Sequence, residues 1–138
     1  IEAACSIAPE SVDQTIGLGQ VAKSVLDSGG SSEPETFKIK LVGCDTSTLK
    51  TVSTTFTGGA SADVPGALGI VGTASGAGIM MRDASGTLIK LGTPTPPQII
   101  QDGNNDLQFG AFLQGSATPD IIKPGEFTAI TNFSLAYQ

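Results

Sequence analysis

The sequence predicts one all-β domain, a sandwich of short strands that spans residues 1–138. Turn-forming residues are abundant, with 18 Gly and 8 Pro. In several segments apolar residues recur at every second position, which is the period of a strand with one buried face. These predicted strands do not alternate with helices, as the strands of a parallel sheet would. Together these observations favour an antiparallel sandwich with many turns.

Four strands are predicted in the first half of the chain. Residues 1–7 alternate, and Pro9 ends that strand because proline cannot donate to a ladder. The positions expected to face inward are Ile1, Ala3, Cys5 and Ile7. Residues 14–21 predict a bent or bulged strand, since two glycines interrupt its apolar pattern. A clear half-buried strand at 37–41 leads to Cys44, and another occupies 52–56.

The second half continues the same pattern. Two apolar segments, 68–73 and 78–82, precede a hairpin turn at 83–86 that leads into a strand at 87–91. A turn at 103–105 precedes a strand at 107–113.

The last strand, in residues 125–138, is the most regular. Its apolar positions are mostly odd and its polar positions mostly even. The side expected to face inward includes Phe127, Phe133, Leu135 and Tyr137. Asn132 and Ser134 are expected to face outward, and a slip of one residue would invert this assignment. An apolar strand of this length needs a neighbour, and the sequence does not obviously supply one.

Charge and hydropathy exclude two classes of partner. The formal net charge is −6, with 13 acidic and 7 basic residues. Binding to nucleic acid needs clustered Lys and Arg, so no nucleic-acid partner is expected. No apolar run approaches the roughly 20 residues of a membrane span, so no membrane insertion is expected.

The residue types also argue against catalysis and cofactor binding. There is no His, which removes the commonest general base and the commonest metal ligand. The acidic residues are scattered over predicted turns. Residues 102–106 resemble a calcium loop only slightly, because the ligand spacing and the terminal Glu are missing. The sequence therefore predicts no enzyme, no metal site and no cofactor.

Two cysteines, Cys5 and Cys44, lie in strands far apart in the sequence. A disulfide between them is favoured over two free buried thiols. It would imply an oxidising compartment.

Several segments, in order along the chain, resemble one known family. They are Cys5-Ser6-Ile7, Ser11 to Val21, Phe37 to Asp45, Val52 to Gly58, Gly78 to Gly86 followed by Leu91-Gly92, Leu107 to Leu113, and an ending with Gly125 and the penultimate Tyr137. In these segments and in their order, the chain resembles the subunits of chaperone–usher pili, most closely rod pilins of the type 1 and P pilus kind. The resemblance covers almost the whole chain.

The resemblance implies an immunoglobulin-like sandwich that lacks its final strand and is completed by a donor strand in trans. The implied function is that of a structural subunit of an extracellular pilus, exported through the periplasm of a Gram-negative bacterium. The implied partners are a periplasmic pilus chaperone, an usher, and neighbouring pilin subunits that lend an N-terminal donor strand.

The resemblance also gives roles to residues. The acceptor groove is expected to be flanked by the first and last strands, with Ile1, Ala3, Ile7, Phe127, Phe133, Leu135 and Tyr137 facing into it. Gly125, Tyr137 and Gln138 are the expected contacts with the chaperone.

One departure and two alternatives remain. Family members carry an extension before the first cysteine strand. Here Cys5 stands near residue 1, so the chain is expected to be a truncated form that accepts a strand and donates none. One alternative is a tip adaptor or carbohydrate-binding adhesin domain of the same kind of pilus. The other is an immunoglobulin-like domain that completes its own sandwich.

Overall fold

The structure, a computed structural model, describes residues 3–138. The described residues form eleven strands, two one-turn α-helices and a short 3-10 helix at Asp27–Gly29. In chain order the elements are β1 (Ser6–Ile7), α1 (Pro9–Val12), α2 (Lys23–Leu26), β2 (Glu35–Cys44), β3 (Thr51–Thr57), β4 (Leu68–Gly69), β5 (Val71–Gly72), β6 (Ala77–Asp83), β7 (Leu88–Ile89), β8 (Gln98–Ile99), β9 (Gly103–Gly115), β10 (Phe127–Thr128) and β11 (Asn132–Tyr137).

The strands form two facing sheets and a small third one. The larger sheet has the order β1-β2-β9-β6-β4, and β7 also pairs with β6. The opposing sheet has the order β11-β3-β8, and β10 pairs with β5 at one end. Every pairing is antiparallel. The predicted all-β sandwich is therefore confirmed.

The core lies between the two sheets and follows the alternation of the sequence. On β2, Ile39 and Leu41 are 1% and 0% exposed, whereas Lys38, the residue before Ile39, points to solvent. On β3, Val52, Thr54 and Phe56 form the buried face. The rings of Phe56 and Phe109 meet edge to face across the sandwich, with centroids 5.1 Å apart.

Within the described residues the buried side chains fall into two clusters. The larger one fills the space between β2, β3, β6 and β9. The smaller one is built on Leu26, Ala77, Leu113 and Ile122, with Val21, Ile70 and Phe127 packed against it. Ile79 is the one residue of the described chain that packs against both.

Loop residues cover one edge of β3. The Thr54 N–H donates to Thr95 Oγ1 at 3.0 Å, and the Thr95 N–H donates back to the Thr54 carbonyl oxygen at 2.8 Å. The Gly92 N–H donates to the Phe56 carbonyl oxygen at 2.8 Å. With β8 pairing at the start of β3, this edge has its partners, and the other edge of β3 pairs with β11.

The first strand departs from its prediction. β1 has only two residues, and Ala3 is exposed while Ala4 is 8% exposed, so the predicted inward parity is wrong at Ala3. The physical cause is a bulge in β2, where the register shifts between Leu41 and Cys44 and Gly43 has a φ of 61°. Beyond the bulge the Ala4 carbonyl oxygen accepts the Asp45 N–H at 2.8 Å, outside any ladder. Ile1 lies outside the described residues.

Residues 14–21 are also not a strand. They connect α1 to α2 without regular secondary structure and without ladder partners. By contrast, β9 begins at Gly103 and takes in the residues predicted as a turn.

The hairpin turn after β6 is organised by Asp83. Its Oδ1 accepts the Ser85 hydroxyl at 2.6 Å and the N–H groups of Ser85 and Thr87 at 3.0 Å each. The hydrogen bond from the Ser85 side chain is the main reason that the pKa of Asp83 lies below its ordinary value of 3.8.

We expect Asp83→Ala to lower the free energy of unfolding at pH 7 by about 0.5–1.5 kcal/mol. Because the folded-state pKa is depressed, this contribution is present above the unfolded pKa and is lost as pH falls through the folded pKa. Urea denaturation of both proteins at pH 7 and at low pH measures it. Asp13→Ala is the control, since no hydrogen bond to its carboxylate occurs within residues 3–138. A difference that persists undiminished at low pH would contradict the role of the carboxylate.

Candidate functional site: a groove beside the last strand

β11 is paired along one edge only. It runs antiparallel to β3 from Asn132, opposite Thr57, to Tyr137, opposite Val52. Among residues 3–138, no strand pairs with its other edge. From residue 127 to 138 the side chains alternate without a break between half-buried odd positions and exposed even ones. This confirms the predicted parity of the last strand, with Asn132 and Ser134 facing outward.

An apolar groove of about 1600 Å³ opens on the unpaired side of β11. One wall is the segment of residues 13–21, which we call the strap, and the other runs from residue 122 to 133. Side chains of β2, β3, β6 and β9 form the floor. The floor residues include Phe37, Ile39, Phe56, Ile79, Met81, Ala111 and Leu113. Among the described residues that line the groove, the charged ones are Asp13 on the strap, Lys23 at the start of α2, and Lys123 and Glu126 on the other wall.

The groove gathers only some of the residues predicted to line it. Ile7, Phe127 and Phe133 line it. Leu135 and Tyr137 face the same way as Phe133 but pack against the larger core cluster, beyond the end of the groove. Partial burial raises the pKa of the Tyr137 phenol above 10.0. Ala3, which is exposed, does not line it. That these residues accept a strand remains a prediction.

Gly125 lies on the groove wall where the chain passes very close to residues 73–74. A Cβ at this position would collide with Thr73 Oγ1 and the main chain beside it. The same Thr73 hydroxyl accepts the Glu126 N–H at 2.9 Å, and the Ala74 N–H donates to the Glu126 carbonyl oxygen at 3.0 Å. Glycine is therefore required here by space, which gives a structural reason for a residue that the sequence singled out as a chaperone contact.

Gln138 is held against the start of β3. Its N–H donates to the Thr51 carbonyl oxygen at 3.0 Å. Its main-chain oxygen accepts the N–H groups of Lys50 at 2.6 Å and Thr51 at 2.8 Å. These bonds extend the β11–β3 ladder past Tyr137 and fix the far end of the last strand.

Cys5 and Cys44 form the predicted disulfide. It joins the segment before β1 to the end of β2, next to the bulge at Gly43. It therefore anchors the chain just before Ile7, where the groove begins.

Sequence reasoning missed two parts of the site. The strap contributes Leu18 to the larger cluster and Val21 to the smaller one, yet its residues suggested a strand and not a wall. The sequence placed Ile70 and Ile79 in two apolar segments. It did not show that both line the groove, because that depends on how β4 pairs with β6. The sequence signal for the strap was its two glycines, which break the strand pattern.

The described residues do not form a metal site, a membrane-spanning helix or an exposed aromatic platform. No group of three or more His, Cys, Asp or Glu side chains among residues 3–138 could hold a metal ion. None of the helices described is long and apolar enough to cross a membrane. The aromatic side chains are buried or half-buried in the same range, so they present no exposed platform.

Comparison with known proteins gives one family. The profile described as "Fimbrial protein" matches residues 1–138. Fimbria A protein of Serratia marcescens is 57% identical over 138 residues, which are 100% of this chain and 79% of that protein. The major MR/P fimbria protein of Proteus mirabilis is 51% identical, with the same shares covered.

A solved structure agrees with the sequence relatives. The crystal structure of the P pilus rod subunit PapA matches with a TM-score of 0.86 and 32% identity, covering 99% of this chain and 100% of that one. It is similar both in its strands and in the extent of the domain.

Proposed function

Because the chain belongs to the fimbrial protein family, we propose that its groove accepts a β-strand donated by another polypeptide. The chain is a structural subunit of an extracellular pilus of a Gram-negative bacterium, of the kind assembled by the chaperone–usher route. We assign it no catalytic activity, since polymerisation by strand addition needs neither a nucleotide nor a catalytic residue. We further propose that residues 1–138 act as one pilin domain.

The unpaired edge of β11 is the observation that carries this proposal. An edge strand presents a row of free N–H and C=O groups, which are a template for another strand. The strap on the opposite side of the groove has no main-chain hydrogen bond to the rest of the described chain. A strand laid in the groove would therefore find hydrogen-bonding partners on both sides.

The two core clusters support the same conclusion. They are linked only through Ile79 within the described residues, and the groove passes over that residue. A strand in the groove would place apolar side chains against the larger cluster near Phe133 and against the smaller one near Phe127. The occupant would join the two clusters into one core.

The energy involved is large compared with the stability of a domain. Burying a large apolar side chain is worth about 1.5–3 kcal/mol, so about five of them contribute on the order of 10 kcal/mol. Whole domains are stable by only about 5–15 kcal/mol. Strand donation can therefore decide whether the subunit stays folded.

We propose three successive partners for this site. A periplasmic pilus chaperone fills the groove first and contacts Gly125, Tyr137 and Gln138. The usher then brings subunits together, and the N-terminal segment of a neighbouring subunit replaces the strand of the chaperone. This order of partners keeps the apolar floor of the groove covered at every stage from synthesis of the subunit to its assembly.

The alternative of a tip adhesin or carbohydrate-binding domain has less support. The tip adhesin CupB6 of Pseudomonas aeruginosa is similar to this chain in fold alone, at 22% identity and a TM-score of 0.76. Sugar-binding sites commonly use exposed aromatic rings, and the aromatic rings of residues 3–138 lie in the core or on the groove.

A synthetic peptide of about 13 residues with alternating apolar side chains tests strand acceptance. We expect saturating peptide to raise the melting temperature by roughly 6–12 °C, which corresponds to binding at about 100 times the Kd. The measurement is thermal unfolding followed by circular dichroism, with complex formation checked by size-exclusion chromatography. A peptide of the same composition without the alternation is the control. An unchanged melting temperature with the alternating peptide would favour a self-contained domain.

A further inference from the structure

The strap is anchored just beyond both ends and makes no main-chain hydrogen bond to the rest of the described chain between these anchors. Upstream, the Lys40 N–H donates to the Ser11 hydroxyl at 2.9 Å, and Ser11 is buried. Downstream, Leu26 is 4% exposed in the smaller core cluster. Between these anchors, the hydrogen bond that holds the strap is made by the Gln14 side chain, whose Nε2 donates to the Lys38 carbonyl oxygen at 3.0 Å. The middle of the strap is therefore retained by apolar contact alone.

Two glycines leave the strap free to move. A Cβ added at Gly17 or at Gly19 would meet no atom within 4 Å, so neither glycine is needed for close packing. Gly19 has a φ of 71°, in the left-handed region that other residues avoid. Ile16 and Leu18, two positions apart, are both half-buried and both line the groove, whereas the residues on either side of them are exposed.

We propose that the strap is a movable wall that, in the free subunit, shifts across the groove to pair with the open edge of β11, and that an incoming strand displaces it. Both edges of the groove carry unpaired main-chain groups, and the floor between them is apolar. When the strap pairs with β11, the N–H and C=O groups of the two segments hydrogen-bond to each other, and the strap covers the floor. This inference concerns the regulation of the groove and rests on its proposed function as a strand acceptor.

The movement needed is small relative to the length of the strap. Closing removes the space that one strand would occupy, so the strap moves by one strand spacing, about 5 Å, toward β11. The nine residues from 13 to 21 span roughly 30 Å when extended, so the displacement at each residue is modest. Ile16 and Leu18 stay in contact with the floor during such a shift, since the floor is apolar throughout. The free subunit thus exchanges between an open groove and a capped one.

Spin labels at Thr15→Cys and Ser134→Cys measure the width of the groove by pulsed electron paramagnetic resonance. Both positions are exposed, and the native cysteines are paired in the disulfide. We expect the free protein to show two distances, that of the open groove and one about 5 Å shorter, and we expect the shorter one to disappear when the alternating peptide is added. Labels at Gln108→Cys and Ser134→Cys, on the two sheets, are the control and should show no change.

The outcomes separate this inference from the proposed function. Peptide binding without a change in the strap distance would overturn the movable wall and leave strand acceptance intact. Failure of the peptide to bind would count against strand acceptance. In that case the label distances of the protein without peptide test the movable wall. A single distance, that of the open groove, would overturn the inference, and an additional shorter distance would support it.

A matched pair of variants tests the same exchange by affinity. Gly19→Ala penalises the open position, in which φ is 71°, and is expected to weaken peptide binding about five- to thirtyfold. Gly17→Ala, on the same strap without a left-handed φ, should leave the affinity within about twofold. Equal effects of the two substitutions would overturn the inference.

Discussion

Replacing Phe133 with aspartate is expected to abolish the binding of a donor strand. Phe133 lines the groove, and its ring lies 6.3 Å from that of Phe56 between centroids. A carboxylate there would be covered by the incoming strand with no cation beside it, and burying an unpaired charge is costly. We expect no rise in melting temperature with the alternating peptide at concentrations that saturate the wild type.

Two controls separate acceptance from folding. Ser134→Asp puts the same charge one residue further on, on the exposed face of β11, and should bind peptide as the wild type does. Phe133→Leu keeps an apolar side chain and should retain binding with a smaller gain in stability. Loss of the half-buried Phe133 ring in Phe133→Asp also costs stability in the free chain, by less than the roughly 3–5 kcal/mol that removing a fully buried ring costs. Circular dichroism at low temperature establishes that the variant is folded. A folded Phe133→Asp protein with undiminished affinity would contradict the acceptor role of the groove.

Removing the disulfide is expected to cost about 4 kcal/mol of unfolding free energy. The two cysteines are 39 residues apart, and the loop-closure relation gives a value near this for such a loop. The double substitution Cys5→Ala and Cys44→Ala avoids placing a hydroxyl at Cys44, which is only 6% exposed. Urea denaturation of the double variant and the oxidised wild type measures the difference.

The reduced wild type is the control for the loss of sulfur packing. It should resemble the double alanine variant in stability. A loss below about 1 kcal/mol for both would show that β1 and the bulge of β2 hold the start of the chain without the covalent link.

Where alternation is strong and pairing is regular, the sequence predicted the structure well. The parity of Phe133 and Ser134, the inner face of β2 and the inner face of β3 all follow from a period of two. In these strands burial on one side decides the register. The same reasoning failed at Ala3, because Gly43 bends β2 and β1 is only two residues long. Alternation in a segment says nothing about a bulge in its partner.

The candidate site was less predictable than the fold. The sequence marked the last strand as a strand in need of a neighbour, and this open edge is the central feature of the groove. It did not show that Leu135 and Tyr137 lie beyond the groove, since that depends on where the floor ends. Nor did it show that Ile16 and Leu18 belong to a wall without ladder bonds. Which segments lack partners is a property of the whole topology and cannot be read from any one of them.

The single link between the two core clusters has a consequence for how the subunit unfolds. Structural units that share few contacts open separately, so the part around Leu26, Ile122 and Phe127 should lose its order before the rest of the free subunit. A protease would then find its first cleavage sites there. Once a strand spans both clusters, opening either part requires removing that strand, and the subunit becomes one cooperative unit. Assembly would thus turn a protein vulnerable to degradation into a resistant one without changing any of its own residues.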